Sequence, residues 1–313
     1  MQTATTRLYQ PALYPQINRR EFLKIAGTLG AAAALTPLMA ACAPADRPSP
    51  SDGAAAPAAA KAALIPDAYR PLIAAAILAP SGHNTQPWKF SVQGQTLRIF
   101  PDKNRSLAVV DPEDRELYIS LGCALENLLV AAAHAGFAGE PIYFPPGQPE
   151  CIQVELSAAP ASSDPLFDAI RSRQSTRDRY DGKPVPNSVL NQLGVLSPER
   201  EINTQLFTSA ASIEPLVEWV MAGDRSQYAD PAFIAELTAW VRFNDGEAAK
   251  YGDGLSTKCT GNPSVPRWLG KAVMKVSSAD SYAKKDEKMM RSSSGMALFI
   301  AEKDDTAGWI DTG

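Results

Sequence analysis

Two short segments carry side chains whose types and spacing suit the binding of an anionic ligand. In the arginine segment, residues 173–177, Arg173, Ser175 and Arg177 occupy alternate positions. Alternate side chains point to the same side of an extended backbone, so two guanidinium groups and a hydroxyl would face one ligand together. Guanidinium groups bind phosphate oxygens through charge-assisted hydrogen bonds. The segment therefore predicts a phosphate contact, and a solvated basic run with Asp178 and Arg179 as surface partners is the alternative.

The tryptophan segment, residues 80–88, reads Pro-Ser-Gly-His-Asn-Thr-Gln-Pro-Trp. Pro80 and Gly82 predict a tight loop after a helix, and such a loop lets the backbone approach a flat ligand closely. Ser81 and Asn84 supply hydroxyl and amide groups suited to a polyhydroxyl chain or to the edge of a heterocyclic ring. A helix–loop–strand with ordinary polar turn residues also fits the individual residue types.

Together the two segments resemble the flavin-contacting signatures of the nitroreductase family, R-x-S-x-R and P-S-x-x-N-x-Q-P-W. Residues 114–136 are similar to the family's central helix, and residues 173–186 to its N-terminal opening. The resemblance implies FMN as the cofactor, and it implies no catalytic acid or base because the flavin carries the chemistry. The cofactor-binding residues that it implies are Pro80, Ser81, Gly82, Asn84, Arg173, Ser175 and Arg177.

The order of the two segments is the reverse of the family's order. Nitroreductase-type proteins are homodimers with flavin at the subunit interface, and each half of this chain keeps one of the two signatures. The resemblance to the Acg-like subgroup therefore implies an α+β, nitroreductase-like fold of two tandem half-repeats, a single-chain pseudo-dimer with one FMN site. We expect the first half at residues 64–160 and an incomplete second half at 161–313. Residues 309–313 resemble the start of a second central helix, which predicts a truncated C-terminus.

The activity implied by the resemblance is reduction of small electron-poor compounds, such as nitroaromatics or quinones, by hydride transfer from NAD(P)H through the flavin. His83 could donate a hydrogen bond to the acceptor, although a loop histidine more often bonds locally. The first alternative is an exported protein that sequesters flavin beneath a lid at residues 253–266 without turnover. The second is a tethered protein whose nitroreductase fold has lost the cofactor.

The N-terminus resembles a twin-arginine export signal. Residues 18–24 read Asn-Arg-Arg-Glu-Phe-Leu-Lys, and residues 25–41 form a weakly apolar stretch short of the roughly 20 residues that span a bilayer. Small residues before Cys42 resemble a lipobox, which predicts a lipid anchor on Cys42, with ordinary signal cleavage after Ala41 as the alternative. We expect a signal peptide at 1–42, a disordered Ala/Pro-rich tether at 43–63, and a protein anchored outside the cytoplasm, in the periplasm.

Composition excludes little else. The formal net charge of -4 gives no reason to expect a nucleic-acid partner. The three cysteines after Cys42 form neither a disulfide framework nor a metal-ligand spacing, and two distant histidines argue against a metal site. We expect Cys123 and Cys151 to be small buried apolar residues.

Periodicity and turn residues predict the elements that must position the two segments. The predicted helices are 66–79, 111–135, 166–173, 189–196, 213–224, 231–250 and one from Thr306. The predicted strands are 88–92, 97–100, 142–144, 152–156, 205–207 and 296–300, and residues 253–266 are predicted to be a loop.

Overall fold

The computed structural model describes residues 17–20, 65–194 and 202–313. Most of the predicted signal peptide at 1–42, the predicted lipidation site Cys42 and the predicted tether at 43–63 therefore lie outside the described residues. The described α-helices are α1 (Arg70–Ala76), α2 (Arg115–His134), α3 (Leu166–Ser172), α4 (Asn187–Gly194), α5 (Ala210–Ala229), α6 (Pro231–Trp240), α7 (Asp245–Tyr251), α8 (Thr257–Thr260), α9 (Arg267–Val276), α10 (Ala279–Arg291) and α11 (Thr306–Thr312). The described strands are β1 (Ile17–Asn18), β2 (Trp88–Gln93), β3 (Thr96–Pro101), β4 (Phe137–Ala138), β5 (Pro141–Tyr143), β6 (Ile152–Glu155), β7 (Ser157–Ala158), β8 (Ile202–Phe207), β9 (Val241–Arg242), β10 (Leu255–Ser256) and β11 (Met296–Ala301).

The first half is an antiparallel sheet covered by α1 and α2. Its five strands run in the order β1-β2-β3-β6-β5. The β2–β3 hairpin turns at Gly94, whose positive φ of 60° is a conformation that glycine adopts without steric cost. Trp88 and Phe90 on β2 and Ile99 on β3 are almost fully buried. This sheet carries the end of the tryptophan segment directly into the core.

The long helix α2 is the centre of that core. Its first turn is fixed by Asp111, whose Oδ2 accepts a hydrogen bond from the Leu117 backbone N–H at 2.9 Å. Leu121 and Leu128, on the helix face that packs against α1 and the sheet, have no exposed surface. The helix is long and apolar enough to span a membrane by length and composition, but more than half of it is buried within the protein. That burial is typical of a core helix.

The second half is mainly helical. Antiparallel strands β8 and β11 pair from Met296 opposite Phe207 to Ala301 opposite Ile202, and α5 packs against α10. Ile213, Val217 and Met221 of α5 form a small buried apolar cluster, on which residues 207, 290 and 296 of β8, α10 and β11 pack.

The two halves meet where α2 crosses α11. A Cβ atom on Gly122 of α2 would lie only 2.0 Å from the carbonyl oxygen of Ile310, so the two backbones touch at this glycine. The Tyr143 hydroxyl donates to Asp311 Oδ1 at 2.6 Å beside the crossing. A second connection is made by Glu236 of α6, whose carboxylate accepts from the N–H groups of Val109 and Val110 at 3.1 Å each. The two halves are therefore packed against each other.

The α+β class and most predicted elements are confirmed, with three corrections. The predicted helix 231–250 is broken at residues 241–244, where Val241 and Arg242 form β9 instead. The predicted loop 253–266 contains β10 and the short helix α8. Helices α9 and α10 were not predicted. Cys151 is fully buried as expected, whereas Cys123 is only partly buried.

Candidate functional site

The tryptophan segment forms a tight loop held in an unusual backbone conformation. His83, Asn84 and Gln86 have positive φ angles of 44°, 51° and 59°. Each such residue costs on the order of 1 kcal/mol or more unless the surroundings hold it, and clusters of this kind occur at ligand sites. Ser81 holds the loop through its Oγ, which accepts from the Gln86 N–H at 3.1 Å. The Gly82 N–H donates to the Ser120 Oγ of α2 at 3.2 Å.

Asn84 pairs this loop with the segment that follows α7. Its Nδ2 donates to the Gly254 carbonyl at 2.9 Å, and its own carbonyl accepts from the Gly254 N–H at 2.9 Å. Its Oδ1 accepts from Gln86 Nε2 at 2.7 Å. The side chain of Asn84 thus uses one of its two donor hydrogens and one of its two acceptor positions within the protein, and the others remain for a ligand.

A buried carboxylate next to Gly254 fixes that segment. Asp253 is 6% exposed, and its Oδ1 accepts from Arg242 at 2.6 Å. Arg105, whose Nε also donates to the Thr85 carbonyl, pairs with Asp253 Oδ2. Arg105 therefore connects the tryptophan segment directly to the 253–254 segment.

The arginine segment lies beside the end of α1. Arg173 Nη2 donates to the Leu78 carbonyl at 3.0 Å, and its Nη1 donates to Ser175 Oγ at 3.2 Å. The Arg177 backbone N–H donates to the Cys259 carbonyl at 2.6 Å. The side chains of Arg173, Ser175 and Arg177 are all exposed.

Arg177 is the most informative residue of this segment. Among the residues that the structure describes, its guanidinium forms no hydrogen bond and no ion pair, yet its charge reaches titratable groups on several elements. It acts on His83 and Glu116 from the first half and on Asp224, Asp286, Tyr228 and Cys259 from the second. The charge of Arg177 therefore lies within electrostatic reach of groups from both halves, and we call the surroundings of these groups the candidate cleft.

His83 and Glu116 are the first-half groups within reach of the Arg177 charge. Burial, and after it the positive charge of Arg177, lower the pKa of His83 to about 4. The imidazole is therefore neutral at neutral pH, and its Nδ1 is buried without a hydrogen-bond partner among the described residues. Desolvation and the charge of Asp111 raise the pKa of Glu116. A Cβ atom on Gly82 would lie 2.9 Å from Glu116 Oε2, so Gly82 lets the loop pack directly on this carboxylate.

The second-half groups within reach of the Arg177 charge are acidic and aromatic. Burial and the charge of Asp286 raise the pKa of Asp224 to about 6, although Arg177 opposes the shift. Burial also raises the pKa of Asp286. The rings of Tyr228 and Tyr282 are stacked with centroids 4.1 Å apart. These residues could contact the aromatic part of a bound molecule.

The structure places some of the predicted site residues close together, whereas the side chains of others are bound within their own loop or to other segments. Arg173 and Ser175 adjoin each other next to Leu78, and the charge of Arg177 acts on His83. By contrast, Ser81 Oγ accepts within its own loop, and the Asn84 amide is bound to Gly254. Pro80 is exposed at the end of α1. Sequence reasoning missed Glu116, Asp224 and Asp286 because acidic residues on helices carry no local signal of a site.

The residues around the cleft fit a flavin mononucleotide. Two exposed guanidinium groups and a hydroxyl match a phosphate dianion. The unpartnered buried atoms His83 Nδ1 and Gln86 Oε1 are acceptor groups that a ligand donor could satisfy. In the described part of the chain, no group of three or more His, Cys, Asp or Glu residues is placed to hold a metal ion.

Comparison with known proteins agrees with the resemblance found in the two segments. Residues 16–36 match the family model of the TAT (twin-arginine translocation) pathway signal sequence. The chain is 28% identical over 181 residues to a Mycobacterium tuberculosis H37Rv protein named "Putative NAD(P)H nitroreductase Rv3131", covering 56% of this chain and 52% of that protein. The acg protein of the same strain, which has the same family name, is 36% identical over 132 residues, 41% of this chain and 40% of its own length.

A more distant relative comes from another genus. "Probable NAD(P)H nitroreductase PigM" of Serratia sp. is 24% identical over 191 residues, 56% of this chain and 52% of that protein. The chain thus spans about half the length of the curated relatives it matches. It is a homologue, at modest identity, of proteins named NAD(P)H nitroreductases, and its N-terminus carries a signal for twin-arginine export.

Proposed function

We propose that this chain is an FMN-binding, nitroreductase-like oxidoreductase that reduces small electron-poor compounds at the expense of NAD(P)H. The observation that carries the proposal is the hydrogen bond of 3.0 Å from Arg173 Nη2 to the carbonyl oxygen of Leu78, two residues before the tryptophan segment. This bond supports one shared site for the two segments that resemble flavin contacts, although their order along the chain is reversed. The names of the homologues support the same reaction class.

In this proposal the phosphate is held by the arginine segment. Arg173 and Arg177 provide the guanidinium groups, and Ser175 provides a hydroxyl that Arg173 already orients at 3.2 Å. The backbone of loop 80–84 approaches the flat part of the cofactor, with Pro80, Ser81, Gly82 and Asn84 as its contacts. When bound, FMN supplies hydride chemistry, taking a hydride from a reduced nicotinamide and delivering it to an acceptor such as a nitroaromatic or a quinone.

The chain's own residues set the polarity of the cleft. The neutral imidazole of His83 presents a hydrogen-bonding group without adding a positive charge. Desolvation raises the pKa of Glu116, and it raises the pKa of Asp224 to about 6, so both groups bind a proton more readily than free carboxyl groups. The neutral imidazole of His83 is compatible with an uncharged, electron-poor acceptor.

The proposal also includes the pseudo-dimer and the destination of the protein. The crossing of α2 and α11 at Gly122 supports two half-repeats that share one composite site, at residues 64–160 and 161–313. The export signal supports a function outside the cytoplasm, with a lipid anchor on Cys42 and a tether at 43–63 between the anchor and the folded chain.

A second candidate function is flavin sequestration without turnover. It is favoured by the hydrogen bond between Asn84 and Gly254, which holds the segment after α7 against the loop.

A flavin titration tests the cofactor assignment. Protein purified from the cytoplasm is expected to show an oxidised-flavin spectrum, and Arg177→Gln should weaken FMN binding at least tenfold. Arg179→Gln, which removes a neighbouring exposed charge, is the matched control and should leave binding unchanged. Colourless protein that fails to bind added FMN would overturn the assignment.

Anaerobic mixing with NADPH then separates the two candidate functions. Bleaching of the flavin, followed by reoxidation with a quinone or nitroaromatic, supports the reductase. Flavin that stays oxidised while remaining tightly bound supports sequestration.

A further inference from the structure

Part of the export signal contacts the folded part of the chain that begins at residue 65. Ile17 and Asn18 form β1, the outermost strand of the five-stranded sheet, opposite Phe90 and Lys89 of β2. This pairing directs the next two residues, the arginine pair Arg19 and Arg20, toward the end of α7. The arginine pair belongs to the segment that matches the twin-arginine signal.

Both guanidinium groups find partners there. Arg19 Nη1 donates to the Gly252 carbonyl oxygen, and burial is the main cause that lowers the pKa of this guanidinium. Arg20 Nη2 lies 3.3 Å from Asp253 Oδ2, and its Cζ lies 5.9 Å from the ring centre of Tyr251. A backbone carbonyl, a carboxylate and an aromatic ring are three groups that bind guanidinium well.

The contacts that fix this site come from residues outside the signal. Asp253 is already fixed by Arg105 and Arg242, and its side chain is 4% exposed. Gly252 ends α7 with a positive φ of 65°, which turns its carbonyl outward from the helix end. The site should therefore persist when the arginine pair leaves.

The contact is also weak enough to be reversible. The side chain of Arg20 is 51% exposed, and exposed ion pairs contribute little to stability. Asp253 has two other arginine partners, so loss of Arg20 leaves no unpaired buried charge. Release of Arg20 therefore leaves the other ion pairs of Asp253 intact, and release of Arg19 returns to solvent a buried guanidinium whose Nε has no hydrogen-bond partner among the described residues.

We propose that residues 251–253 are a binding site for the arginine pair of the chain's own export signal, so that docking on the body and recognition by the export machinery exclude each other. The same residues touch the candidate site, because Gly254 is bound to Asn84 and Gln86 lines the cavity beside the arginine pair. In this proposal the site forms only after loop 80–86 has folded. The inference depends on the signal and these contacts, and it does not depend on the proposed function.

Limited trypsin digestion of the full chain tests the proposal. Cleavage at Arg19 and Arg20 is measured by mass spectrometry relative to cleavage at Arg7, and a synthetic peptide of residues 1–42 gives the unprotected ratio. In the native chain the relative cleavage at the pair is expected to be about five-fold slower than in the peptide, as a weak contact allows. Equal ratios in the chain and the peptide would overturn the proposal.

Two variants identify the docking site. Asp253→Asn and Tyr251→Leu should both restore fast cleavage at the arginine pair while cleavage at Arg7 is unchanged. Near-UV circular dichroism checks folding. Tyr251→Leu keeps the test decisive if Asp253→Asn unfolds the protein, since Tyr251 is only partly buried. Protection that survives in folded Tyr251→Leu protein, and equally in folded Asp253→Asn protein, would contradict the assigned site.

Discussion

Arg173 Nη2 donates a hydrogen bond to the carbonyl oxygen of Leu78 at 3.0 Å, across 95 positions of sequence. Leu78 lies two residues before the tryptophan segment, so this bond joins the two segments at one edge of the body. The bond uses only one edge of the guanidinium group and Ser175 uses another. These two bonds fix the orientation of the Arg173 guanidinium.

Removal of the Arg177 charge should raise the pKa of His83. Arg177 is one of two causes that lower this pKa, the first being burial, so Arg177→Gln should move it upward from about 4 but leave it below 6.5. The pKa is measured by NMR titration of the His83 ring protons. Arg179→Gln serves as the control, because Arg179 is not among the causes of the shift. An unchanged His83 pKa in Arg177→Gln would show that the charge of Arg177 does not act on His83.

His83 should make the fold sensitive to acid. Its pKa is depressed in the folded state, so the unfolded chain takes up a proton first as pH falls below about 6.5. Stability is then lost progressively between about pH 6.5 and pH 4, by at most about 3 kcal/mol for a shift of this size. His83→Asn keeps a residue that tolerates the positive φ and removes the titration. Urea unfolding at pH 7.5, 5.5 and 4 should therefore show a smaller loss in the variant.

Asp224 should act in the opposite direction over nearly the same pH range. Its folded pKa is raised to about 6, so its charge costs stability above pH 6, and protonation relieves that cost as pH falls. Asp224→Asn should stabilise the protein at pH 8 by about 1 kcal/mol after allowance for solvent screening. Urea unfolding should show this gain disappear near pH 4. A gain that is the same at both pH values would show that the effect is not electrostatic.

Gly122→Ala should destabilise the protein by about 1–3 kcal/mol, since the new methyl group must push α2 and α11 apart. Gly223→Ala is the matched control, because this glycine also lies inside a helix but a Cβ there meets nothing within 4 Å. The control should be neutral or more stable by up to about 1 kcal/mol, as expected from helix propensity. Denaturant unfolding compares the two, and a neutral Gly122→Ala would show that the helices do not touch here.

The elements with strong local signals could be predicted from the sequence. Alternation found the β2–β3 hairpin, and the apolar stripe of α2 found the central helix. Helix α10 was not predicted from the sequence. Ala283 is its only fully buried residue among many charged ones, so the helix has no continuous apolar stripe. Helix α9, in contrast, has apolar residues at helical spacing, at positions 268, 269, 272, 273 and 276, so its sequence does carry a helical signal although it was not predicted.

The candidate site was predictable only as two separate segments. Residue types alone located the loop at Ser81 and Asn84 and the cations at Arg173 and Arg177. They could not show that Asn84 binds Gly254, because that pairing depends on how α7 ends. Nor could they show that the charge of Arg177 acts on Asp224 and Asp286, since α5 and α10 bring those carboxylates together only after the chain has folded.

The crossing of α2 and α11 has a consequence for synthesis of the protein. Gly122 and Ile310 touch although nearly 190 positions separate them, so the core of the first half lacks part of its cover until the residues around Ile310 leave the ribosome. Contacts this distant in sequence form late and slow folding. Completion of the cleft, and any loading of a cofactor into it, must therefore follow translation of almost the whole described chain.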